Sequence, residues 1–124
     1  MNDAQKAKLI NELSQFTGSE TFYYHPLFRK FVYTEGVRHL AENAGAYWLL
    51  ENFIFPKQAV REIAQEEFQV WTIKVNQQEC SAVINLEDGD TNEVCRFLIP
   101  FTDFPLDKFT LWFIGGTLLL PNEY

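Results

Sequence analysis

The chain has 124 residues, a net charge of −7, and a 16% aromatic share that includes 12 phenylalanines. That length suits one domain with a core of its own, and rings in such number need an interior, which excludes disorder. The acidic balance of residues 79–124 argues against a phosphate-binding surface in that half, and no stretch reaches the roughly 20 apolar residues of a membrane span.

Residues 3–16 read as a first helix, with Asp3 as its cap and Leu9, Leu13 and Phe16 on one stripe beside Ile10. Thr17-Gly18 stops it. These first residues are polar and helical, so no secretory signal is expected, and a cytoplasmic location follows. Residues 19–33 are irregular and aromatic, with Pro26 forcing His25 to be extended and a short strand around Phe31 to Tyr33. Tyr23, Tyr24, His25 and Tyr33 are the densest group of polar-tipped rings and, with His39, form the candidate binding surface. The plainer reading, a connection pinned to the core by its rings, is preferred.

Thr34 caps the central helix, and Glu35 meets the positive end of its dipole. Val37, Leu40, Ala41, Ala44 and Trp48 share a face, and Arg38 and Glu42 form a solvated pair. From Ala46 to Phe55 the residues are apolar nearly all round, so this part is buried. Gly45 either kinks one helix or ends it and starts another. Pro56 opens a third helix to about Glu66, with Ala59, Val60, Ile63 and Ala64 inward. His39 lies one turn after Glu35, a surface pair in preference to a catalytic one, because no nucleophile motif accompanies it.

The period then changes to two. Phe68–Val75 places Trp71, Ile73 and Val75 on one face. Cys80–Leu86, Val94–Ile99, Phe109–Phe113 and Thr117–Leu120 follow as strands, with turns at Asp88-Gly89 and Gly115-Gly116. The expected fold is a single α+β domain, 1–124, with about three N-terminal helices packed on a four- to five-stranded antiparallel meander sheet. Val70, Val83, Val94, Leu98, Trp112 and Ile114 fall on the other face, which is too apolar for a solvated one. Its cover is the 19–33 segment, a second subunit or a partner, and a homodimer is predicted.

Cys80 and Cys95 are placed in strands as buried free thiols; the Asp88-Gly89 turn sets Cys80 opposite Phe97 and Cys95 opposite Ala82. No histidines accompany them at zinc spacing, so no metal is expected there. Asp88 to Glu93 has oxygens at the first, third and fifth places of a calcium loop. Glu93 stands where that loop needs glycine, so a polar turn is the reading.

Residues 1–78 hold nine acids and eight bases; residues 79–124 hold eight acids and two bases. Glu87, Asp88, Asp90, Glu93, Asp103 and Asp107 therefore make a candidate acidic face. Solubility is its plainer explanation.

Several motifs appear in order: Phe16-Thr17-Gly18-Ser19-Glu20, Tyr23-Tyr24-His25, Tyr33-Thr34-Glu35-Gly36-Val37, Ala44-Gly45-Ala46-Tyr47-Trp48-Leu49, Phe68-Gln69-Val70-Trp71, Thr102-Asp103-Phe104-Pro105-Leu106, and Leu118 to Tyr124. Through them the chain resembles an uncharacterised small domain family of bacteria, particularly cyanobacteria, and of phage and plasmid genes. The resemblance implies a small stand-alone protein and brings no activity or site residue. Asp103 and Asn122-Glu123-Tyr124 read as turn and cap chemistry in preference to a surface.

No catalytic motif, phosphate loop or dinucleotide fingerprint is present, and no cofactor is expected. The leading expectation is a non-enzymatic protein-interaction module with a protein partner and no direct nucleic-acid or membrane binding. One alternative is an acidic phage or plasmid inhibitor that occupies a nucleic-acid-binding site on a host protein. The other is an enzyme with a site built from Tyr23, His25, Tyr33 and His39.

Overall fold

The computed structural model describes residues 1–18 and 20–124; Ser19, within the first motif above, lies outside the described residues. Helix α1 spans Asp3–Leu13. Its cap is Asn2, not Asp3: Asn2 Oδ1 accepts from the Gln5 N–H at 2.8 Å, and Gln5 Oε1 accepts from the Asn2 N–H at 2.9 Å. That reciprocal pair satisfies two donors at the helix entry. Leu9 and Leu13 are buried, while Ile10 stays exposed.

Strands β1 (Phe22–Tyr24) and β2 (Val32–Thr34) pair antiparallel, with Tyr23 opposite Tyr33. Helix α2 spans Glu35–Asn43, and Thr34 Oγ1 accepts from the Val37 N–H at 3.3 Å, as its capping role predicts. Gly45 at φ +62° ends it. The central helix is therefore two helices, and the glycine is the break. Helix α3 (Tyr47–Leu49) runs into a π-helical turn over Leu50–Ile54, closed by the Phe55 N–H on the Leu50 carbonyl at 3.0 Å.

The expected helix from Pro56 to Glu66 is instead a 3-10 turn (Pro56–Ala59) and helix α4 (Arg61–Ala64). Val60 is extended between them, and Ala59, Val60 and Ala64 are exposed, leaving Ile63 as the buried anchor. Gln58 helps to enforce the break. Its amide donates to the Ile54 carbonyl at 3.0 Å and to Gln69 Oε1 at 2.8 Å. Gln69 is buried and donates back to Gln58 Oε1 at 2.9 Å while accepting from the Trp71 indole at 2.9 Å. A buried amide is tolerated only when paired in this way.

The sheet continues with β3 (Phe68–Asn76), β4 (Ser81–Asp88), β5 (Glu93–Ile99), β6 (Lys108–Ile114) and β7 (Thr117–Leu119). Its seven strands run in the order β1-β2-β7-β6-β3-β4-β5, and β2 pairs with β7 in parallel. The sheet is thus mixed and larger than the expected four- to five-stranded meander, and among the described residues four α-helices accompany it instead of three. β6 does not extend the meander beyond β5. It returns to lie beside β3, which makes β3 to β6 a Greek key.

The connection 100–107 explains that return, since Phe104, Pro105 and Leu106 are buried. It is pinned to the β3–β4 end by the Thr102 N–H on the Cys80 carbonyl at 2.6 Å and the Val75 N–H on the Asp107 carbonyl at 2.8 Å. Burying these side chains stabilises the domain by roughly 1.5–3 kcal/mol each, which a connection lying along the surface would forgo.

The β4–β5 turn is also longer than Asp88-Gly89. Ala82 faces Ile99, Ile84 faces Phe97 and Leu86 faces Cys95, a register displaced by four residues from the expected one. An even displacement leaves every side chain on its expected face. Two placements do change. The ladder shifts between Leu86 and Glu87, so Val94 is an extra residue that packs against the core rather than on the outer face. Cys80 is not an inward strand residue but an exposed turn residue at φ +54°. Gly115 and Gly116, with φ +54° and +87°, form the expected two-residue hairpin turn.

The core lies between the helices and one sheet face. Trp71, Ile73, Ile84, Leu86, Leu111 and Phe113 meet Leu40, Leu49, Leu50, Ile54 and Phe55 there.

The chain end fastens this layer. Glu123 is buried; its Oε1 accepts from Thr34 Oγ1 at 2.6 Å and the Leu120 N–H at 2.9 Å, and its Oε2 from the Gly36 N–H at 3.3 Å. A carboxylate at the first turn of α2 is favoured by the helix dipole. Asn122 Nδ2 donates to the Phe16 carbonyl at 2.8 Å and to the Leu13 carbonyl at 3.3 Å, which satisfies the end of α1.

Candidate functional site

Alternation along the strands builds the outer face. Val70, Val83, Trp112 and Ile114 lie there half-buried, and Leu98 is 75% exposed. Across β3 and β6, Phe68 faces Ile114 and Val70 faces Trp112, an apolar block. Tyr124 packs edge-on against Trp112 at 5.6 Å and Phe68 at 6.3 Å. Of the segment expected as a cover, the described residues 22–24 and 32–34 form two strands that extend the sheet at its edge instead of lying over this face.

A groove of about 300 Å³ lies at the β1–β7 side of the face. Ile114, Thr117 and Leu119 form its floor, Phe22 and Tyr124 its walls, and Thr34 and Glu123 its polar end. At the other end of the strands the face turns basic, where Lys74 and Lys108 are direct register partners. Near the β4–β5 turn it is acidic, where Glu87 faces Glu93.

The aromatic candidates are not joined in one site. Tyr23 and Tyr33 pack at 5.7 Å, and the Arg38 guanidinium lies 4.5 Å above the Tyr23 ring. Arg38 also donates to Glu42 at 3.0 Å and holds its carboxyl below the usual range, and the Tyr47 hydroxyl donates to the same carboxylate at 3.3 Å. Burial, then the neighbouring Tyr33 and Glu42, pushes the Tyr47 phenol up to about 12.

His25 is elsewhere, buried against Phe28 and Phe55. Its Nδ1 accepts from the Leu27 N–H at 3.1 Å, which places the proton on Nε2, 2.9 Å from Glu51 Oε1. This pairing fastens the aromatic segment to the π-helical turn. His39 pairs with α1 rather than Glu35: its ring packs on Phe16 at 5.4 Å, and Nε2 lies 3.5 Å from Glu12 Oε1 without a hydrogen bond. Tyr24 points to solvent.

Residues 7–124 match the model of a family of unknown function, DUF6876. The chain belongs to that family. No curated protein and no solved structure matches it. The motifs quoted for the DUF6876 resemblance now have physical roles. Thr34, Gly36 and Glu123 form one hydrogen-bonded contact, and a Cβ on Gly36 would lie 2.6 Å from both Glu123 Oε1 and Leu120 Cδ1. Gln69 and Trp71 hold the amide network, and Phe104 to Leu106 fill the core beneath the return to β6.

The acidic candidates divide between two ends of the sheet in this DUF6876 chain. Glu87, Asp88, Asp90 and Glu93 lie at the β4–β5 turn; Asp103 and Asp107 lie on the connection at the opposite end. Asp88 is occupied by its turn. Its oxygens accept from the Asp90 and Asn92 N–H groups at 2.9 Å and the Asn92 amide at 3.2 Å, which lowers its pKa, the Asn92 backbone contributing most. Glu93 is paired with Arg96 at 2.8 Å. No group of three or more potential ligands for a metal ion exists among the described residues, and no described helix is long and apolar enough to cross a membrane.

Sequence reasoning found Val70, Val83, Leu98, Trp112 and Ile114, but missed Phe22, Thr117, Leu119 and Tyr124. Phe22 joins the face only through the β2–β7 pairing, which leaves no local pattern, whereas Thr117 and Leu119 join it through the β6–β7 hairpin.

Proposed function

We propose that the chain is a non-enzymatic protein-interaction module whose outer sheet face seats a second copy of itself. The supporting observation is the apolar block of Phe68, Val70, Trp112 and Ile114 on the outer face, extended by the groove between Phe22 and Tyr124. Helices α1 to α4 pack on the other face, and a two-layer domain exposes such a block only at a cost in solubility. A two-fold axis in the sheet plane, perpendicular to the strands and over the Val70–Trp112 row, lays each apolar block on its copy. The apolar blocks then meet at the spacing of stacked sheets, about 10 Å. A catalytic reading draws no support from the tyrosines and histidines, which lie in separate places.

Sedimentation equilibrium over a concentration series tests this. The expected result is a monomer–dimer equilibrium that Ile114→Asp and Tyr124→Asp each weaken by about tenfold or more, near 1.4 kcal/mol. A monomer at every concentration overturns the reading. A dimer indifferent to both substitutions moves the contact to another surface.

A further inference from the structure

We infer that the free edge of β5 is a strand-addition site for an extended basic segment of a partner protein. Two independent features meet there. The first is the edge. β5 ends the sheet, pairs only with β4, and no backbone hydrogen bond among the described residues reaches its outer side. In an antiparallel strand about half of the N–H and C=O groups point to each side, so this edge offers a row of ready donors and acceptors. The usual protections are confined to its ends. The ladder irregularity at Leu86/Glu87 lies beside its start and Pro100 follows its end, while Cys95 to Ile99 carries one charged side chain, Arg96, already paired with Glu93.

The second feature is a pocket of about 260 Å³ at the same margin. Trp48 and Phe53 from the helix layer, in a T-shaped pair at 5.9 Å, form one wall; Ile99 and Phe101 form the other. Phe101 is 77% exposed, and Asp103 stands at the rim. A strand added beside β5 places every second side chain on this inner side, next to Phe97 and Ile99. An aromatic wall with one carboxylate at its rim fits an arginine or lysine: the stem lies along the rings and the cation meets Asp103. Lys57 already makes a contact of this type next door, with Nζ 4.9 Å above the Phe97 ring.

Charge also selects against self-pairing at this edge. Two β5 strands joined antiparallel about a two-fold would bring Asp90 and Glu93 of one chain alongside Asp103 of the other. A basic segment meets carboxylates at both ends instead. The edge uses backbone groups and the inner-side pocket, so it stands apart from the outer face proposed for the dimer.

The probe is a short synthetic peptide of alternating valine and threonine with a central arginine, measured by fluorescence anisotropy. Two controls carry glutamate for the arginine, or N-methyl groups on alternate amides along either edge. The arginine peptide is expected to bind saturably. N-methylation along one edge, Asp103→Lys and Phe101→Ala are each expected to weaken it by about tenfold. Asp103→Lys is further expected to transfer preference to the glutamate peptide. Both substituted residues are exposed, and circular dichroism confirms folding. No saturable binding overturns the inference. So does binding indifferent to N-methylation, or to Asp103→Lys. Tyr124→Asp, on the outer face, is expected to leave peptide binding unchanged; its loss there would assign the peptide to the dimer face.

Discussion

The two margins of this sheet are built differently. β1 is three residues long, and the strands beside it are tied to α1, α2 and the chain end through Thr34, Gly36, Asn122 and Glu123. β5 is seven residues long, with an unpaired outer side and an aromatic pocket beside it. The first margin exposes only a short edge and anchors the strands behind it through buried polar contacts, so changes there act on stability. The second leaves backbone groups and rings to solvent, so changes there act on association. A long open edge invites aggregation, and a chain that keeps one forgoes a simple remedy, a lysine or proline in mid-strand.

The largest expected effect lies at the closed margin. Glu123→Ala leaves Thr34 Oγ1 and the N–H groups of Gly36 and Leu120 without this acceptor in a buried place. The expected loss is about 3 kcal/mol, since bonds to a charged acceptor contribute roughly 1.5–3 kcal/mol each and are not additive. Gly36→Ala is expected to cost about 1–3 kcal/mol by overpacking against Glu123 and Leu120. Urea melts of both variants check this, and a double variant costing no more than the worse single one confirms a shared contact. Near-neutral single variants would break the comparison.

Next comes the amide network. Gln69→Leu removes the acceptor for the Trp71 indole and leaves the Gln58 amide and the Ile63 and Glu66 carbonyls short of a partner. The expected cost is about 2 kcal/mol, read from the same melts. At the open margin, Phe101→Ala is expected to move stability by no more than about 0.5 kcal/mol, as for most surface changes. A loss above about 1.5 kcal/mol would mean that the pocket wall belongs to the core.

How much of this was legible follows from range. Period-two alternation placed Trp71, Ile73, Ile84 and Leu86 inward and left Val70, Trp112 and Ile114 outward, because each strand carries that signal locally. Thr34 as a cap and Gly115-Gly116 as a turn were equally local. The Thr34–Glu123 bond joins residues 89 apart, and the β2–β7 pairing is as remote, so neither has a periodic trace. The return of β6 was hidden for a related reason. Phe104-Pro105-Leu106 reads as a loop, and only its burial beneath the sheet shows that it redirects the chain. The aromatic candidates failed to assemble because β1, α1 and the π-helical turn draw Tyr23, His39 and His25 to different neighbours.

The β4–β5 turn adds a pH dependence to the open side. Asp88 has its carboxyl pKa depressed by the Asn92 and Asp90 backbone donors. A group depressed on folding contributes fully above its unfolded value, near 3.9, and loses that contribution as pH falls through the folded one. Stability measured from neutral pH downward is expected to fall less steeply in Asp88→Asn than in the parent. Parallel slopes would remove Asp88 from the acid response.

The smallest effect concerns Cys80, which closes the β3–β4 turn. Asn76 Oδ1 accepts from the Gln78 and Glu79 N–H groups at 3.1 and 3.3 Å, and this tight turn leaves Cys80 at φ +54°. A left-handed conformation costs a non-glycine residue roughly 1–2 kcal/mol, which glycine avoids. Glycine is also freer when unfolded, which returns part of the gain. Cys80→Gly is therefore expected to stabilise the chain by about 0.5 kcal/mol, a rise of a few degrees or less in thermal midpoint. Cys80→Ala keeps the strain and serves as the control. Equal midpoints for the two would mean that the turn relaxes without strain, and that Cys80 is held by its exposed thiol rather than by its backbone.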